Sequence, residues 1–469
     1  MTSMRSVLER HRASYARNPF GMRVALVMTL DLACLVVAAF AARYWAETTI
    51  SDGTFISATA ILAIGTFLVL QATGAYDLVT IRSSERTRVS LLLSLGIGFA
   101  AALVFYFAVP LPESEDALLH AAAVFLPLFL LERSAFRSVS KRMRNRILLV
   151  GASDLGIALV HSIAVRSDLG LEVVGFLSGN DEEERRSAPV GGVPVLGTVH
   201  AVEKVMSQGI ADWVVVTSKR RDEDLPADQL LSLKLQGVPI FSGSALYERI
   251  TGEVYHRSMR SSVLIFDDRL GMTLFERFTK RAFDLMIALV ALVFTAPILL
   301  AAAIAIRLDT KGTIFFRQTR VGRFHKPFQI LKLRTMVEGA ERDTGAVFAS
   351  RQDLRITRVG HFLRRTRIDE LPQFWNVVKG DMDLVGPRPE ILANVQTMSE
   401  EIPYYGLRHS VRPGLTGWAQ TRFGYSVSLE QVTEKIRYDL FYIKQMSFWL
   451  DLRILVDTVK IMLFGRGAK

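Results

Sequence analysis

Four long apolar runs fill the first third of the chain, and they constrain its fold more than any other feature. Three are long enough to cross the hydrocarbon layer of a membrane as helices, which takes roughly 20 residues each. The fourth is shorter and contains His120 and Pro127. A soluble bundle would have polar backs at helical spacing, whereas these runs are apolar all round. We therefore predict a four-helix transmembrane bundle over residues 1–140, with the runs at about Met22 to Trp45, Phe55 to Tyr76, Val89 to Leu111 and Ala117 to Leu131.

The charges between these runs predict their orientation. Arginines precede the first run and separate the second from the third, and arginines with Lys141 follow the fourth, whereas the other two connections are acidic. Because basic residues favour the cytoplasmic side, both ends of the bundle are predicted to be cytoplasmic. The net charge of +11 suits phosphate ligands, anionic lipids or nucleic acid, and composition does not choose among them. The single cysteine, Cys34, excludes a disulfide framework.

A fifth apolar run, Ala282 to Ile306, has basic residues on both flanks, so both flanks are predicted to lie in the cytoplasm. Pro297, preceded by Ala296, lies within the run and would kink or break a helix there. We therefore predict a re-entrant membrane helix over residues 281–308 that returns to the side from which it entered. The alternative is an ordinary fifth span, which would export everything after it.

Between residues 141 and 265 the pattern changes to alternating strands and helices. This alternation is typical of a parallel sheet, so we predict a Rossmann-like α/β middle domain. The predicted strands are Ile147 to Val150, Val173 to Leu177, Trp213 to Thr217 and Val238 to Phe241, and the predicted helices are Ile157 to Val165 and Val202 to Gln208.

The turn after the first of these strands resembles a dinucleotide-binding fingerprint that is incomplete. Gly151 and Gly156 are in place, but Ser153 replaces the glycine that lets a pyrophosphate approach the backbone. The second strand ends in Leu177-Ser178-Gly179, with no acidic residue to bind a ribose. A Rossmann-like fold without a dinucleotide is therefore favoured. The alternative is a working NAD site, which would make the chain a membrane-anchored nucleotide-sugar oxidoreductase or epimerase.

The residues that could carry chemistry lie in the last segment, 266–469. Apolar residues from Leu371 to Val378 repeat at helical spacing, which predicts a helix starting at about Asp369. Asp369 and Glu370 would then lie at a helix N-terminus, where phosphate is also attracted. Carboxylates beside cations could supply a nucleophile and a Mg²⁺ ligand. The alternative is that Asp369 is an N-cap and the cations form a solvated face. Those cations are Lys332, Arg334, Arg364, Arg365, Arg367 and Arg388.

Four motifs follow one another between Leu274 and Phe464: KRAFDLMIALVALVFTAPILLAAAIAIRLDTKGTIFFRQTRVG, FQILKLRTM, FLRRTRIDELPQFWNVVKGDMDLVGPRPE and RPGLTGWAQ. Their order resembles the bacterial polyprenyl-phosphate hexose-1-phosphate transferases, the initiating sugar transferases of exopolysaccharide, capsule and O-antigen synthesis. The whole chain resembles their large subclass, in which four spans and a Rossmann-like domain precede a monotopic α/β catalytic domain with a re-entrant helix. The chain departs from the family pattern at Ala296, often serine, and at His325, commonly glycine.

The resemblance implies a two-step mechanism and a role for each matched residue. Asp369 would attack the sugar-bearing phosphate and help to hold Mg²⁺, and Glu370 would organise metal and phosphate. Four basic residues would bind the substrate phosphates: Arg364, Arg388, Lys332 and Arg334.

The resemblance also implies the partners and location of the chain. The donor would be a nucleotide sugar, with UDP-glucose or UDP-galactose expected, and the acceptor polyprenyl phosphate in the bilayer. Nucleic acid is not expected as a partner, and a homo-oligomer is left open. The protein would span the bacterial inner membrane several times, with its catalytic domain on the cytoplasmic face. A competing hypothesis is a non-catalytic scaffold for polymer export, in which Asp369→Asn would be silent.

Overall fold

The computed structural model describes residues 144–166, 169–178, 191–218, 225–255, 272–340, 353–423 and 429–464, with scattered helical positions before residue 144. The four predicted membrane segments fall largely outside these residues. The chain divides into two compact units, residues 1–259 and 260–469.

The described part of the first unit contains a five-stranded parallel sheet. Its strands are β1 (Asn145–Val150), β2 (Leu171–Ser178), β3 (Val195–Thr198), β4 (Trp213–Val216) and β5 (Ile240–Ser242). Its helices are α1 (Asp154–Val165), α2 (Val202–Ser207), α3 (Ala227–Leu235) and α4 (Gly243–Thr251). The strands lie side by side in the order β3-β2-β1-β4-β5, with every pair parallel.

Both faces of this sheet are buried, as its apolar strands require. Alternate residues of β1 point to opposite faces, so Leu149 packs in the cluster with α1 and α4 whereas Leu148 packs with α2 and α3. The predicted alternation of strands and helices is confirmed, with ends shifted by up to three residues. β3, α3 and α4 were not predicted from the sequence, because these segments are short or only weakly apolar.

The second unit combines short sheets with helices. Its helices are α5 (Leu274–Asp309), α6 (Arg358–Thr366), α7 (Gln373–Lys379), α8 (Leu392–Glu401), α9 (Trp418–Arg422), α10 (Leu429–Gln445) and α11 (Phe448–Phe464). Its strands are β6 (Phe315–Val321), β7 (Pro327–Leu333), β8 (Asp383–Val385) and β9 (Gly414–Thr416). β6 and β7 form an antiparallel hairpin, and β8 pairs with β9 in parallel.

α5 is the one helix among the described residues that is long and apolar enough to cross a membrane. It begins at a capping box, in which the Thr273 side chain accepts from the Glu276 backbone and Glu276 accepts from the Thr273 backbone. Ala296 and Pro297 lie inside the helix, which continues to Asp309. A complete break at this proline is therefore wrong. A proline removes one backbone hydrogen bond, and long apolar flanks keep the helix going on either side.

The C-terminal half of α5 packs under the segments that carry the predicted site. Ala302 and Ile306 form a buried cluster with Leu333 of β7 and Leu363 of α6. Burial of this apolar surface holds the strand and the helix beside each other. The neighbouring residues Lys332 and Arg364 are positioned by the same packing.

Candidate active site

Asp369 and Glu370 lie in a short 3₁₀ turn, Ile368–Glu370, between α6 and α7. The prediction that a helix begins at Asp369 is wrong, because α7 begins at Gln373 after Pro372. A proline has no N–H to donate back to the preceding turn, so the chain closes with the shorter bond from Leu371 N to the Ile368 carbonyl, 3.2 Å. No side-chain cap is made at either start, so Asp369 is not an N-cap.

The approach to this turn is fixed by close packing and an unusual backbone conformation. The Thr357 hydroxyl caps α6 by accepting from Gly360 N at 2.9 Å. A Cβ on Gly360 would lie 2.0 Å from the Thr335 carbonyl oxygen, so only glycine allows α6 to approach this closely. The helix ends at Thr366, and the next residue, Arg367, has a φ of 60° that turns the chain into the acidic pair.

Glu370 is the centre of a cationic cluster. Its Oε1 lies 3.0 Å from Arg388 Nη2, 3.4 Å from Lys332 Nζ and 3.6 Å from Arg367 Nη1. Burial alone would raise the pKa of Glu370, but Arg388, Lys332 and Arg367 outweigh it and lower the pKa to about 2. Glu370 is therefore a fixed anion that holds three basic side chains from separate segments together.

Asp369, its neighbour, is buried but differently partnered. Its side chain is 8% exposed, and its Oδ1 has no hydrogen-bond partner among the residues that the structure describes. Burial and the charge of Glu370 raise its pKa, against the opposing effects of Lys332, Arg364 and Arg367. A buried carboxylate oxygen without a donor is costly, and in a native protein such an atom is explained by an ordered water, a bound ion or ligand, or a catalytic role.

The other predicted phosphate-binding residues divide into two groups. Arg364 lies near the acidic pair, where its charge lowers the pKa of Asp369 and its Nε donates to Thr335 Oγ1 at 2.8 Å. Arg334 bonds elsewhere, because its guanidinium donates to the carbonyls of Thr310 and Lys311 at 2.9 Å, just beyond the end of α5. The structure thus brings Lys332, Arg364 and Arg388 together with the acidic pair. Arg334 instead binds the carbonyls that follow the end of α5.

Asn376, which was not predicted as a site residue from the sequence, connects two elements of the site. Its Oδ1 accepts from Leu331 N at 2.9 Å and its Nδ2 donates to the Gln329 carbonyl at 2.7 Å, so it fastens α7 to β7. Asn376 is 2% exposed. The available signal was an amide within the apolar stripe of α7, because a buried amide needs a partner.

His325 occupies a conformation that explains why a glycine suits this position. It lies in the turn between β6 and β7 with a φ of 60°, which glycine adopts without steric cost. Its ring packs 4.7 Å from that of His409, centroid to centroid. Histidine in place of glycine therefore has a less favourable backbone conformation but gains a ring contact with His409.

In the first unit, the incomplete fingerprint turn is closed by its own side chains. Ser153 Oγ donates to the Thr217 carbonyl at 2.7 Å and accepts from Gly156 N at 3.3 Å. A Cβ on Gly151 would lie 2.7 Å from the Ser218 backbone, and one on Gly156 would lie 2.7 Å from the Phe176 ring. Both glycines therefore have packing roles that need no ligand.

The donor set at Asp369 suits one kind of metal site. In the described part of the chain, no three His, Cys, Asp or Glu side chains group as metal ligands. A dedicated protein cage is therefore not seen there. Mg²⁺ commonly takes one or two carboxylates and completes its shell with water and substrate phosphates. The unpartnered Asp369 Oδ1 fits that role.

A buried acidic pair among basic side chains, beside a long apolar helix, is the arrangement expected of a membrane-associated phosphotransferase. The family described as bacterial sugar transferase matches residues 275–465, which includes both the helix and the pair. With the relatives given next, this match shows that the chain belongs to that family, the polyprenyl-phosphate hexose-1-phosphate transferases.

Three relatives show how far the similarity extends. A UDP-N-acetylgalactosamine-undecaprenyl-phosphate N-acetylgalactosaminephosphotransferase of Aeromonas hydrophila is 39% identical over 56% of this chain and 62% of its own length. A UDP-glucose:undecaprenyl-phosphate glucose-1-phosphate transferase of Escherichia coli is 43% identical over 39% of this chain and 40% of its own. A UDP-glucose:undecaprenyl-phosphate glucose-1-phosphate transferase of Klebsiella pneumoniae is 33% identical over 69% of each chain. The match thus covers less than two thirds of the first two relatives.

Proposed function

We propose that this chain transfers a hexose-1-phosphate from a UDP-sugar to undecaprenyl phosphate, releasing uridine monophosphate, as the first membrane step of exopolysaccharide or related glycan synthesis. The observation that carries the proposal is the Asp369 carboxylate, buried with an oxygen that has no donor in the described chain, beside a Glu370 that gathers cations. The names of the relatives support the donor and acceptor classes. They give no support to an oxidoreductase.

In the first step, a carboxylate oxygen of Asp369 attacks the phosphorus that bears the hexose. The bond from this phosphorus to the bridging oxygen of the diphosphate breaks, and uridine monophosphate leaves with the electron pair. In the second step, a phosphate oxygen of undecaprenyl phosphate attacks the same phosphorus and the Asp369–phosphorus linkage breaks, which regenerates the carboxylate. Both nucleophiles are anions, so neither step requires a general base.

The cations around the pair would reduce the electrostatic repulsion between the reactants. An anionic carboxylate is repelled by a diphosphate, and Arg388, Lys332 and Arg364 would offset that repulsion. Glu370 holds Arg388 and Lys332 at one oxygen, and so orients two donors towards the phosphate region. Mg²⁺, bound in part by Asp369, would supply further charge neutralisation at the phosphate oxygens.

The proposal includes the membrane arrangement expected from the sequence. It places a four-span bundle before the parallel-sheet domain, which we take as Rossmann-like on the support of its strand order. α5 would enter the cytoplasmic leaflet and return, bending near Pro297 within a continuous helix. Reporters fused after Arg146 and after Lys469 should then both lie in the cytoplasm, and an external C-terminal reporter would exclude re-entry.

The sugar is open, because the relatives are named for N-acetylgalactosamine and for glucose. The test offers the purified full chain in nanodiscs a panel of UDP-sugars with undecaprenyl phosphate and Mg²⁺, and measures uridine monophosphate. One UDP-sugar should give release that depends on the acceptor. Omitting the acceptor should leave a sugar-phosphate adduct on the peptide containing Asp369, seen by mass spectrometry. Acceptor-dependent product without any adduct would favour direct transfer over the two-step route.

A further inference from the structure

The segment Gly386–Glu390, which carries Arg388, has no regular secondary structure, yet its backbone is held at nearly every carbonyl. Irregular segments normally rely on water for such bonds, so this one is set in place by the surrounding protein. The carbonyls and their donors are Pro387 with Gly414, Arg388 with Arg408, Pro389 with Arg320, and Glu390 with Val321. The carbonyl of Val385, the last residue of β8 before the segment, accepts from Lys280 and Tyr442.

Arg408 is the buried member of this set that touches Arg388 directly. Its side chain is 2% exposed, and its Nη2 donates to the Arg388 carbonyl at 3.0 Å while lying 2.9 Å from Asp439 Oδ2. Its Nη1 donates to Tyr405 Oη at 2.9 Å. The planar guanidinium therefore joins three partners from three segments in one fixed geometry.

We infer that Arg408 is a positioning residue for Arg388, and through it for the diphosphate of the donor. The inference rests on the proposed function, since it assigns Arg388 to substrate phosphate. Among the bonds of the described residues, Glu370 holds the side chain of Arg388 and Arg408 holds its carbonyl. Loss of the bond from Arg408 lets the guanidinium of Arg388 shift, and this weakens a grip on phosphate that depends on fixed bidentate geometry.

The variant that isolates this role is Arg408→Lys. Lysine keeps a positive charge for the buried Asp439, so no unpaired anion is left in the core. A single ammonium cannot reproduce the fork that bonds Tyr405, Asp439 and the Arg388 carbonyl together. Arg422→Lys is the matched control, because Arg422 pairs with Asp457 at 3.3 Å and takes no part in the bonds of the Arg388 segment given above.

The experiment measures UDP binding by calorimetry, together with kcat and KM for the UDP-sugar that the wild-type chain uses. Five full-length proteins in nanodiscs are compared: wild type, Arg408→Lys, Arg388→Lys, the double variant and the control Arg422→Lys. Arg408→Lys should weaken UDP binding about tenfold and raise KM more than it lowers kcat, because it moves a binding group rather than the nucleophile. In the Arg388→Lys background the same change should have little further effect, since coupled residues are not additive.

Each outcome decides something. Equal fold-changes in both backgrounds, or a loss matched by Arg422→Lys, would show that Arg408 serves the fold in general and would overturn the inference while leaving the proposed function intact. Failure of wild type to bind UDP and to release uridine monophosphate would overturn the proposed function, and the inference with it. If Arg408→Lys does not fold, Asp439→Asn replaces it, because it loosens Arg408 from α10 and should show the same dependence on Arg388.

Discussion

Two turns of this protein each contain a polar side chain near a helix, and the two side chains differ in their hydrogen bonding. The fingerprint turn in the first unit, Gly151 to Gly156, pairs its serine hydroxyl with a carbonyl and a backbone amide. The acidic turn in the second unit, Ile368–Glu370, leaves Asp369 Oδ1 buried without a partner in the described chain. A turn that satisfies its own polar groups stabilises the fold. A turn that leaves one unsatisfied gives up stability and gains a group that can meet a ligand.

The largest expected effect is that of Asp369→Asn. An amide has no anionic oxygen to attack phosphorus, so uridine monophosphate release should fall by roughly 10⁴-fold or more. The folded state should be as stable as wild type or more so. Burial and Glu370 raise the pKa of Asp369, which means that its ionised form disfavours folding at neutral pH. The measurements are turnover and the thermal unfolding midpoint in nanodiscs.

The matched control for this change is Asp457→Asn, which removes a carboxylate that pairs with Arg422 and Lys460. It should keep turnover near wild type. Wild-type turnover in Asp369→Asn, with intact protein, would end the nucleophile assignment. A fall in stability without loss of turnover would reverse the contrast between the two turns.

The second effect is on stability, in Glu370→Gln. The pKa of Glu370 is about 2, against an ordinary value of about 4.3, so the carboxylate stabilises the folded state by roughly 3 kcal/mol. Because the folded pKa is lowered, this stabilisation is complete above about pH 4.3 and fades as pH falls towards 2. The variant should therefore unfold more easily than wild type at pH 7 and approach it near pH 2. A constant difference across this range would remove the electrostatic explanation.

The third effect is a pair of opposite shifts in the acid limb of the pH–rate profile. Lys332 lowers the pKa of Asp369, so Lys332→Met should move the loss of activity to higher pH. Glu370 raises that pKa, so Glu370→Gln should move it to lower pH. Lys379→Met serves as control, because this lysine is exposed and pairs with Asp381. Shifts in the same direction would show that another group controls the limb.

The smallest effect is expected in the fingerprint turn, from Ser153→Ala. Loss of the helix cap should cost about 1 kcal/mol in the stability of the first unit, with uridine monophosphate release unchanged. Ser162→Ala is its control, since that hydroxyl bonds only within α1, to the Ala158 carbonyl, among the bonds described here. Urea unfolding followed by limited proteolysis measures the difference. A loss of turnover in Ser153→Ala would give the first unit a part in the reaction.

Some elements of this structure could be predicted from local sequence patterns, because short-range physical rules determine them. The apolar strands of the first unit and Gly380 at the end of α7, with φ 89°, follow from rules that act over a few residues. Asp369 and Glu370 are adjacent in the chain, so their pairing needed no folding argument. Their shared burial and opposite pKa shifts depend on residues from β7 and the Gly386–Glu390 segment, which no local pattern brings together.

The partners of Arg334 could not be predicted from the sequence. The family resemblance implies a phosphate-binding role for both Lys332 and Arg334, and residues two apart in a strand point to the same face. β7 ends at Leu333, however, and Arg334 turns to the end of α5. A strand end cannot be placed to the residue from sequence alone, and here one residue changes the partner.

The left-handed backbone of Arg367 has a consequence for anyone who would redesign this protein for stability. A conventional stabilising choice at a φ of 60° is glycine, which removes a steric strain of about 1 kcal/mol. That replacement would also take away one of the three charges at Glu370 and return flexibility to the unfolded chain. Design rules that optimise each position by itself would therefore replace Arg367, although its backbone conformation and charge position the acidic pair. A design calculation should keep this residue fixed.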